Sequence, residues 1–328
     1  GGGTFDITLL DVRHNVFEVL STSGDSYLGG DDFDNRLAQY MLRGFEKQYG
    51  FQIDHDPVVR GRLKQVGEKI KRQLSKKERA IVNVRDLAVA PDGRHCDLRF
   101  QVDRAGVHRR FQDIVQRTFL VCDDALTHGH MRADEVQGVV LVGGSTRMPL
   151  VREMVQGYFG QPPLTDINPD EVVAVGAAIQ GAALVTDPFS PAGAHQPLLL
   201  DVTPRSLGVQ VVSGYYDVLI GRNAAIPCEQ TRVFATSQDN QQVVRLQIFQ
   251  GESRIASENV KLGEIELFNL RPMPRGMVEI EVTFAIDADG IVDVTAKDRE
   301  TGVAQQTRVR VTAGFSDEAV QVMRRRSQ

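Results

Sequence analysis

An α/β region followed by an all-β region is the fold class this sequence predicts, on three observations. Glycine turns recur at Gly1–Gly3, Gly29-Gly30 and Gly143-Gly144, between apolar strand-like runs and the segments that follow them. Beyond residue 200 the pattern changes to short alternating runs with frequent turns. Between the two lies Asp187–Pro197, with three prolines and no periodicity, which reads as a linker.

The elements follow in order. Phe5–Val12 and Val16–Ser21 read as strands, the first directly after a glycine triplet whose free backbone N–H groups suit an anionic ligand. Thr4 and Asp6 stand beside it, a hydroxyl and a carboxylate suited to magnesium–phosphate. The spacing predicts a helix over 57–75. Val59, Leu63, Val66, Ile70 and Leu74 form its apolar stripe, and at about 100° per residue Glu68, Lys71, Arg72 and Ser75 fall nearly opposite. That second stripe fits a solvated face as well as a nucleoside-binding one. In the second case Glu68 and Lys71 would bond ribose hydroxyls, and the Arg72 guanidinium plane would stack on a purine.

Val139–Val142 is a continuous apolar run, expected as a strand buried on both faces. Pro149 suits the first turn of a helix reaching Phe159. Asn168-Pro169-Asp170-Glu171 starts another, with a small apolar stretch at 175–179 suited to close packing. In the second half, Val278–Ile286 alternates apolar and mostly polar residues, turns at Asp287–Gly290 and returns through Ile291–Lys297, a hairpin. A further strand is expected at Thr307–Val311, and Ser316-Asp317-Glu318 caps a last helix.

The 328 residues suffice for two cores, with 25% charged and 41% apolar residues and a formal net charge of −5. That balance gives no basic field for nucleic acid, and no apolar run is long enough to span a membrane. Three well-separated cysteines, Cys96, Cys122 and Cys228, imply no disulfide framework and favour a reducing, cytoplasmic compartment. Neither His95-Cys96 nor His128-Gly129-His130 has a partner pair at zinc spacing.

Seven segments together resemble the DnaK-type, seventy-kilodalton heat-shock chaperones over essentially the whole chain. They are Gly1–Asp6, Gly24–Asp34, Glu68–Ser75, Leu141–Pro149, Asn168–Ala178, Leu198–Pro204 and Ser206–Gly208. The resemblance implies a partial actin-like ATPase domain, mainly its second lobe, over 1–185. An interdomain linker over 186–200, a β-sandwich peptide-binding domain over 201–312 and the start of a lid helix over 313–328 follow. It implies ATP/ADP with magnesium, unfolded apolar polypeptides as clients, a J-domain co-chaperone and a nucleotide exchange factor.

Carried onto this chain, Gly1, Gly2, Gly3 and Thr4 form a phosphate loop, Thr4 near the γ-phosphate and Asp6 at magnesium through water. Gly29 and Gly30 lie beside the phosphates. Glu68, Lys71, Arg72 and Ser75 hold the nucleoside, Gly143, Gly144, Ser145 and Arg147 close its other side, and Asp170 lies near the nucleotide. Val209, Val211, Val212, Phe234, Thr236, Ser237, Val244, Leu246 and Ile280 are expected along the peptide groove, although ordinary core positions explain part of this set equally well. Val212 and Ser237 resemble the pair that arches over bound peptide, here with small side chains. Leu198, Leu199, Leu200 and Asp201 resemble a docking linker, which would account for an apolar triplet in a solvated segment.

The sequence departs from the family pattern in three places. The family's first phosphate loop and catalytic lysine do not occur, so an N-terminal part is expected to be missing and little ATP turnover is expected of this chain alone. The linker is long and proline-rich, and Arg205 stands where an aliphatic residue is usual. A lid helix that stops at Gln328 is expected to leave peptide exchange fast. An actin-fold small-molecule kinase shares the glycine turns but has neither the β-sandwich nor the Leu-Leu-Leu-Asp-Val-Thr-Pro segment. A degenerate chaperone that binds neither ligand well is the other alternative.

Overall fold

The computed structural model describes residues 2–53, 56–164, 168–185, 197–288 and 290–310. Gly1, the proline-rich stretch at 186–196, the strand end at Val311 and the expected lid helix fall outside them. By contacts the chain divides into Gly1–Leu9 with Ser23–Pro197, and Leu10–Thr22 with Leu198–Gln328.

In the first unit, α1 (Gly30–Tyr49) and α2 (Pro57–Leu74) pack together beside an antiparallel hairpin of β3 (Arg79–Val89) and β4 (His95–Asp103). Then come α3 (Arg104–His128), α4 (Pro149–Phe159) and α5 (Val172–Val185). Helix α2 starts where the Asp56 carboxylate accepts from the Val58 and Val59 amides, with Pro57 in its first turn. Its stripe of Val59, Leu63, Ile70 and Leu74 is buried among Leu37, Met41 and Phe45 of α1 and Phe111 of α3. Gly67 lets α1 and α2 approach, since a Cβ there would stand 2.8 Å from the Asp34 carbonyl oxygen.

Two expectations fail here. Val139–Val142 is not a buried strand. Its one ladder contact is a bridge from Val140 to Leu164, and Val140 and Val142 are 48% and 45% exposed. A continuous apolar run takes up strand structure only where another strand supplies its hydrogen bonds, and among the described residues none flanks it. The small apolar stretch of α5 is likewise not close-packed, with Val175 54% and Ile179 51% exposed.

The second unit is all-β. Its sheets run β10-β9-β6-β7 and β13-β12-β11-β8, where β6 is Leu207–Gln210, β7 Tyr216–Ile220, β8 Cys228–Ala235 and β9 Val244–Gln250. β10 is Val260–Leu267, β11 Glu279–Ile286, β12 Ile291–Asp298 and β13 Ala304–Arg310. Inward residues of both sheets, among them Val209, Ile248, Ile265, Val282, Phe284 and Val294, share one apolar cluster. The expected hairpin is β11–β12, in register from Ile280 opposite Asp298 to Ile286 opposite Val292.

The first two strands, β1 (Phe5–Arg13) and β2 (Val16–Asp25), form a three-stranded sheet with β5 (Leu198–Leu200). Val16, Phe17 and Glu18 pair in parallel with Leu198, Leu199 and Leu200. The apolar triplet is thus a strand, not a solvated connection, although its side chains stay 39–55% exposed.

Candidate functional site

The first two glycine turns of the first unit converge. Gly29 precedes α1 in extended backbone (φ −173°), its amide held by the Asp32 carboxylate at 2.8 Å. The Asp31 amide donates to the Gly2 carbonyl at 2.7 Å, which draws the first loop onto the start of α1. A Cβ on Gly29 would stand 2.5 Å from that carbonyl oxygen, so only glycine permits the contact. A Cβ on Gly30 would point into a small space ringed by Ser145 Oγ at 3.1 Å, Lys71 Nζ at 3.3 Å and Gly2 O at 3.6 Å.

Lys71 comes up from α2. Its ammonium lies 2.8 Å and 2.9 Å from the two Asp34 carboxylate oxygens and donates to the Gly30 carbonyl at 3.0 Å. Both side chains are largely buried, 11% and 7% exposed. Burial pushes the Asp34 carboxyl above its usual range, the Lys71 hydrogen bond and charge oppose that, and Glu68 and Asp31 add to it. Farther along α2, Glu68 and Arg72 pair loosely at 3.7 Å on the exposed face. Ser75 closes the helix, its hydroxyl donating to the Lys71 carbonyl at 3.0 Å.

A second loop faces this one through Ser145. Gly143 takes φ 91°, a left-handed value that favours glycine, and opens a short 3₁₀ turn over Gly144–Arg147. The turn is strapped to residues 168–170. Gly143 donates to the Pro169 carbonyl at 2.9 Å, and Arg147 donates to Asp170 Oδ2 at 2.6 Å and 3.1 Å and to Asn168 Oδ1 at 2.8 Å.

The structure therefore links Gly2, Gly29, Gly30, Lys71, Ser145, Gly144, Arg147 and Asp170. It does not join Thr4 and Asp6 to them by any contact named above. Both are exposed, Thr4 just before β1 and Asp6 within it, and Asp6 lies against Gly24, where a Cβ would stand 2.6 Å from its carboxylate. Sequence reading missed Asp34 as a site residue, although it ended a quoted motif. Its signal lies in its partner: an acid in α1 facing a lysine in α2, 37 residues away.

In the second unit the expected groove residues divide. Val209, Thr236, Leu246 and Ile280 are buried, the core alternative for part of the set. Val211, Phe234 and Val244 are half-buried on the edge of the same cluster. Val212 is 68% exposed in a turn where Ser213 has φ 65°, and exposed Ser237 takes the Gln241 side-chain oxygen on its amide at 2.9 Å. Ile280 pairs across the ladder with Phe234.

A family profile described as Hsp70 protein matches residues 1–328. The chain belongs to the Hsp70 family of ATP-binding heat-shock chaperones. Members of that family generally bind ATP or ADP with magnesium, and typically bind unfolded polypeptides and co-chaperones. Among the described residues no helix is long and apolar enough to cross a membrane.

Proposed function

We propose that the protein is a DnaK-type chaperone that holds extended apolar peptide segments and binds magnesium–ATP or –ADP, with nucleotide state governing peptide release. The observation that carries the nucleotide part is the convergence of the first loop at Gly2, the Gly29-Gly30 turn, the Lys71 ammonium and Ser145 on one small space. The Lys71 ammonium and the Ser145 hydroxyl border it, and glycine loops let a ligand come close to the backbone. Gly2, Gly3, Gly29 and Gly30 would face the phosphates, with Thr4 and Asp6 toward the terminal phosphate and the magnesium hydration shell. Glu68, Lys71, Arg72 and Ser75 would hold the nucleoside from one side, and Gly144, Ser145 and Arg147 from the other. Asp170 orients Arg147 through the ion pair at 2.6 Å.

The peptide part rests on the apolar edge of the second unit. Val211, Phe234 and Val244 lie part-exposed beside the exposed Val212. Apolar side chains there would select leucine-like residues, while peptide backbone would pair without reading sequence. Val212 and Ser237 are small, so a bridge formed by them would be loose. Replacing both with larger apolar residues is expected to slow peptide release, and an unchanged off-rate would refute the bridge. A J-domain co-chaperone and an exchange factor are the partners this reading implies.

Fluorescence anisotropy of a labelled leucine-rich heptapeptide, with and without magnesium–ATP, tests both parts. Saturable binding competed by unlabelled peptide is expected. Its absence would overturn the peptide reading. The ATP arm decides whether nucleotide control operates in this chain, since a shift in off-rate supports it and identical curves remove it.

A further inference from the structure

The loop between β9 and β10, residues 251–259, is braced from within. The Asn259 carboxamide donates to the Ser253 carbonyl at 2.8 Å and accepts from the Ser253 amide at 3.0 Å. Gly251 has φ 152°, and a Cβ there would collide with that carboxamide, so the loop needs glycine. Ser253 also fixes Glu258, its hydroxyl donating to Oε2 at 2.5 Å. Glu252 is held from outside the loop. Its two oxygens accept from the Ser206 amide at 2.8 Å and the Ser206 hydroxyl at 2.9 Å.

This frame borders a surface cleft of about 250 Å³, whose lining includes Arg205, Gln250, Glu252, Ser253, Glu258 and Asn259. Most of these polar groups are used up in holding the loop, but three keep capacity. The Arg205 side chain has no ion pair or hydrogen bond among the described residues. Gln250 is 2% exposed, and its carboxamide has no partner among the described residues, so it offers N–H donors and an acceptor oxygen. Glu258 keeps one carboxylate oxygen outside its bond to Ser253.

The charges select the occupant. A guanidinium matches a carboxylate through two parallel N–H bonds. Glu252 and Glu258 in the same lining disfavour a second carboxylate and favour a cation. The volume lies below that of pockets for drug-sized ligands, about 300–1,000 Å³, so the occupant is small.

We propose that this cleft binds a small zwitterion, a molecule with one carboxylate and one ammonium such as a free α-amino acid. Arg205 takes the carboxylate, Gln250 adds a hydrogen bond and Glu258 takes the ammonium. None of the three belongs to the nucleotide or peptide residues named above. Arg205 stands where an aliphatic residue is usual, so the site belongs to this chain and not to the shared pattern.

The test follows the amide resonances of Gly251–Asn259 in the isotope-labelled full chain, in slightly acidic buffer. The titrants are L-threonine, its methyl ester, which lacks the carboxylate, and N-acetyl-L-threonine, which lacks the ammonium. L-Threonine is expected to saturate at about millimolar concentration. Each derivative is expected to bind about tenfold more weakly, the size of one hydrogen bond to a charged group. Arg205→Leu is expected to weaken threonine by about tenfold and to stop distinguishing it from the ester. Glu258→Gln is expected to stop distinguishing threonine from the N-acetyl compound while still rejecting the ester.

No saturable shift with L-threonine would overturn the proposal. Equal binding of all three titrants by wild type, or unchanged threonine affinity in Arg205→Leu, would do the same. Equal binding of threonine and its N-acetyl derivative, with the ester rejected, would leave an anion site and overturn the zwitterion. The spread of amide resonances reports whether each variant is folded. If Glu258→Gln is not, the three titrants on wild type and Arg205→Leu decide the question.

Discussion

Gly29 shows how one missing methyl group decides whether two loops can meet. A Cβ at that position would stand 2.5 Å and 2.8 Å from the oxygen and carbon of the Gly2 carbonyl, well inside contact distance. Gly29→Ala is expected to push the first loop away, reducing magnesium–ADP affinity by about tenfold or more while costing about 1–3 kcal/mol of stability. Calorimetric titration and a denaturant melt separate the two effects, and unaltered ADP affinity would remove Gly29 from the site. Cys122 makes the opposite point, since a residue of reactive type can be silent. Burial first, and the nearby Asp123 charge second, push its thiol up to about 12. Native protein near neutral pH is therefore expected to leave Cys122 unmodified by an aromatic disulfide reagent over minutes, with reaction only after denaturation. The turn glycines were legible in the sequence as candidates, because three such turns recur in one α/β region although any single tight turn needs glycine anyway. That Gly29 touches Gly2 was not, because the contact depends on how two distant segments fold back.

Elements were legible where a pattern specifies its own partner face. The stripe of α2 is such a case, since its apolar positions lie on one side and all of Val59, Leu63, Ile70 and Leu74 are buried. The β11–β12 hairpin is another, because alternation together with a turn closed from Gly290 to the Asp287 carbonyl fixes both face and register. Val139–Val142 was misread because a uniformly apolar run states a demand for burial without naming what supplies it. The Asp34–Lys71 pair was missed for a related reason, since each charge alone reads as a solvated face. The turn after β12 gives a test of an element held by polar groups. Asp298 is buried, which by itself raises its carboxyl. The Glu300 amide, the Thr301 hydroxyl and amide, and the Arg271 charge together outweigh that and hold it below the usual range. A depressed folded value stabilises above the unfolded value near about 4 and loses that contribution as pH falls through the lower one. Asp298→Asn is therefore expected to be less stable than wild type near neutral pH, with the gap closing as pH drops below about 4. Urea midpoints across that range measure it, and a constant gap would show that the carboxylate charge is not what the turn uses.

At the scale of the whole molecule, the two larger apolar clusters among the described residues each answer to different elements. One is built from α1, α2, α3, the β3–β4 hairpin and the start of α4, the other from the two four-stranded sheets. A chain with two such cores need not unfold in one step. A ligand raises the stability of the core that binds it by RT ln(1 + [L]/Kd), and leaves another alone unless the two are coupled. Calorimetry of the full chain is expected to show two transitions, one raised by magnesium–ADP and the other by a leucine-rich heptapeptide. If nucleotide control operates in this chain, the shifts with both ligands present will differ from the sum of the separate ones, because a coupling free energy acts reciprocally. Additive shifts would mean that both sites work without communicating. A single transition moved by either ligand would mean that the two cores form one cooperative unit, and the assignment of nucleotide and peptide to separate folding units would fail.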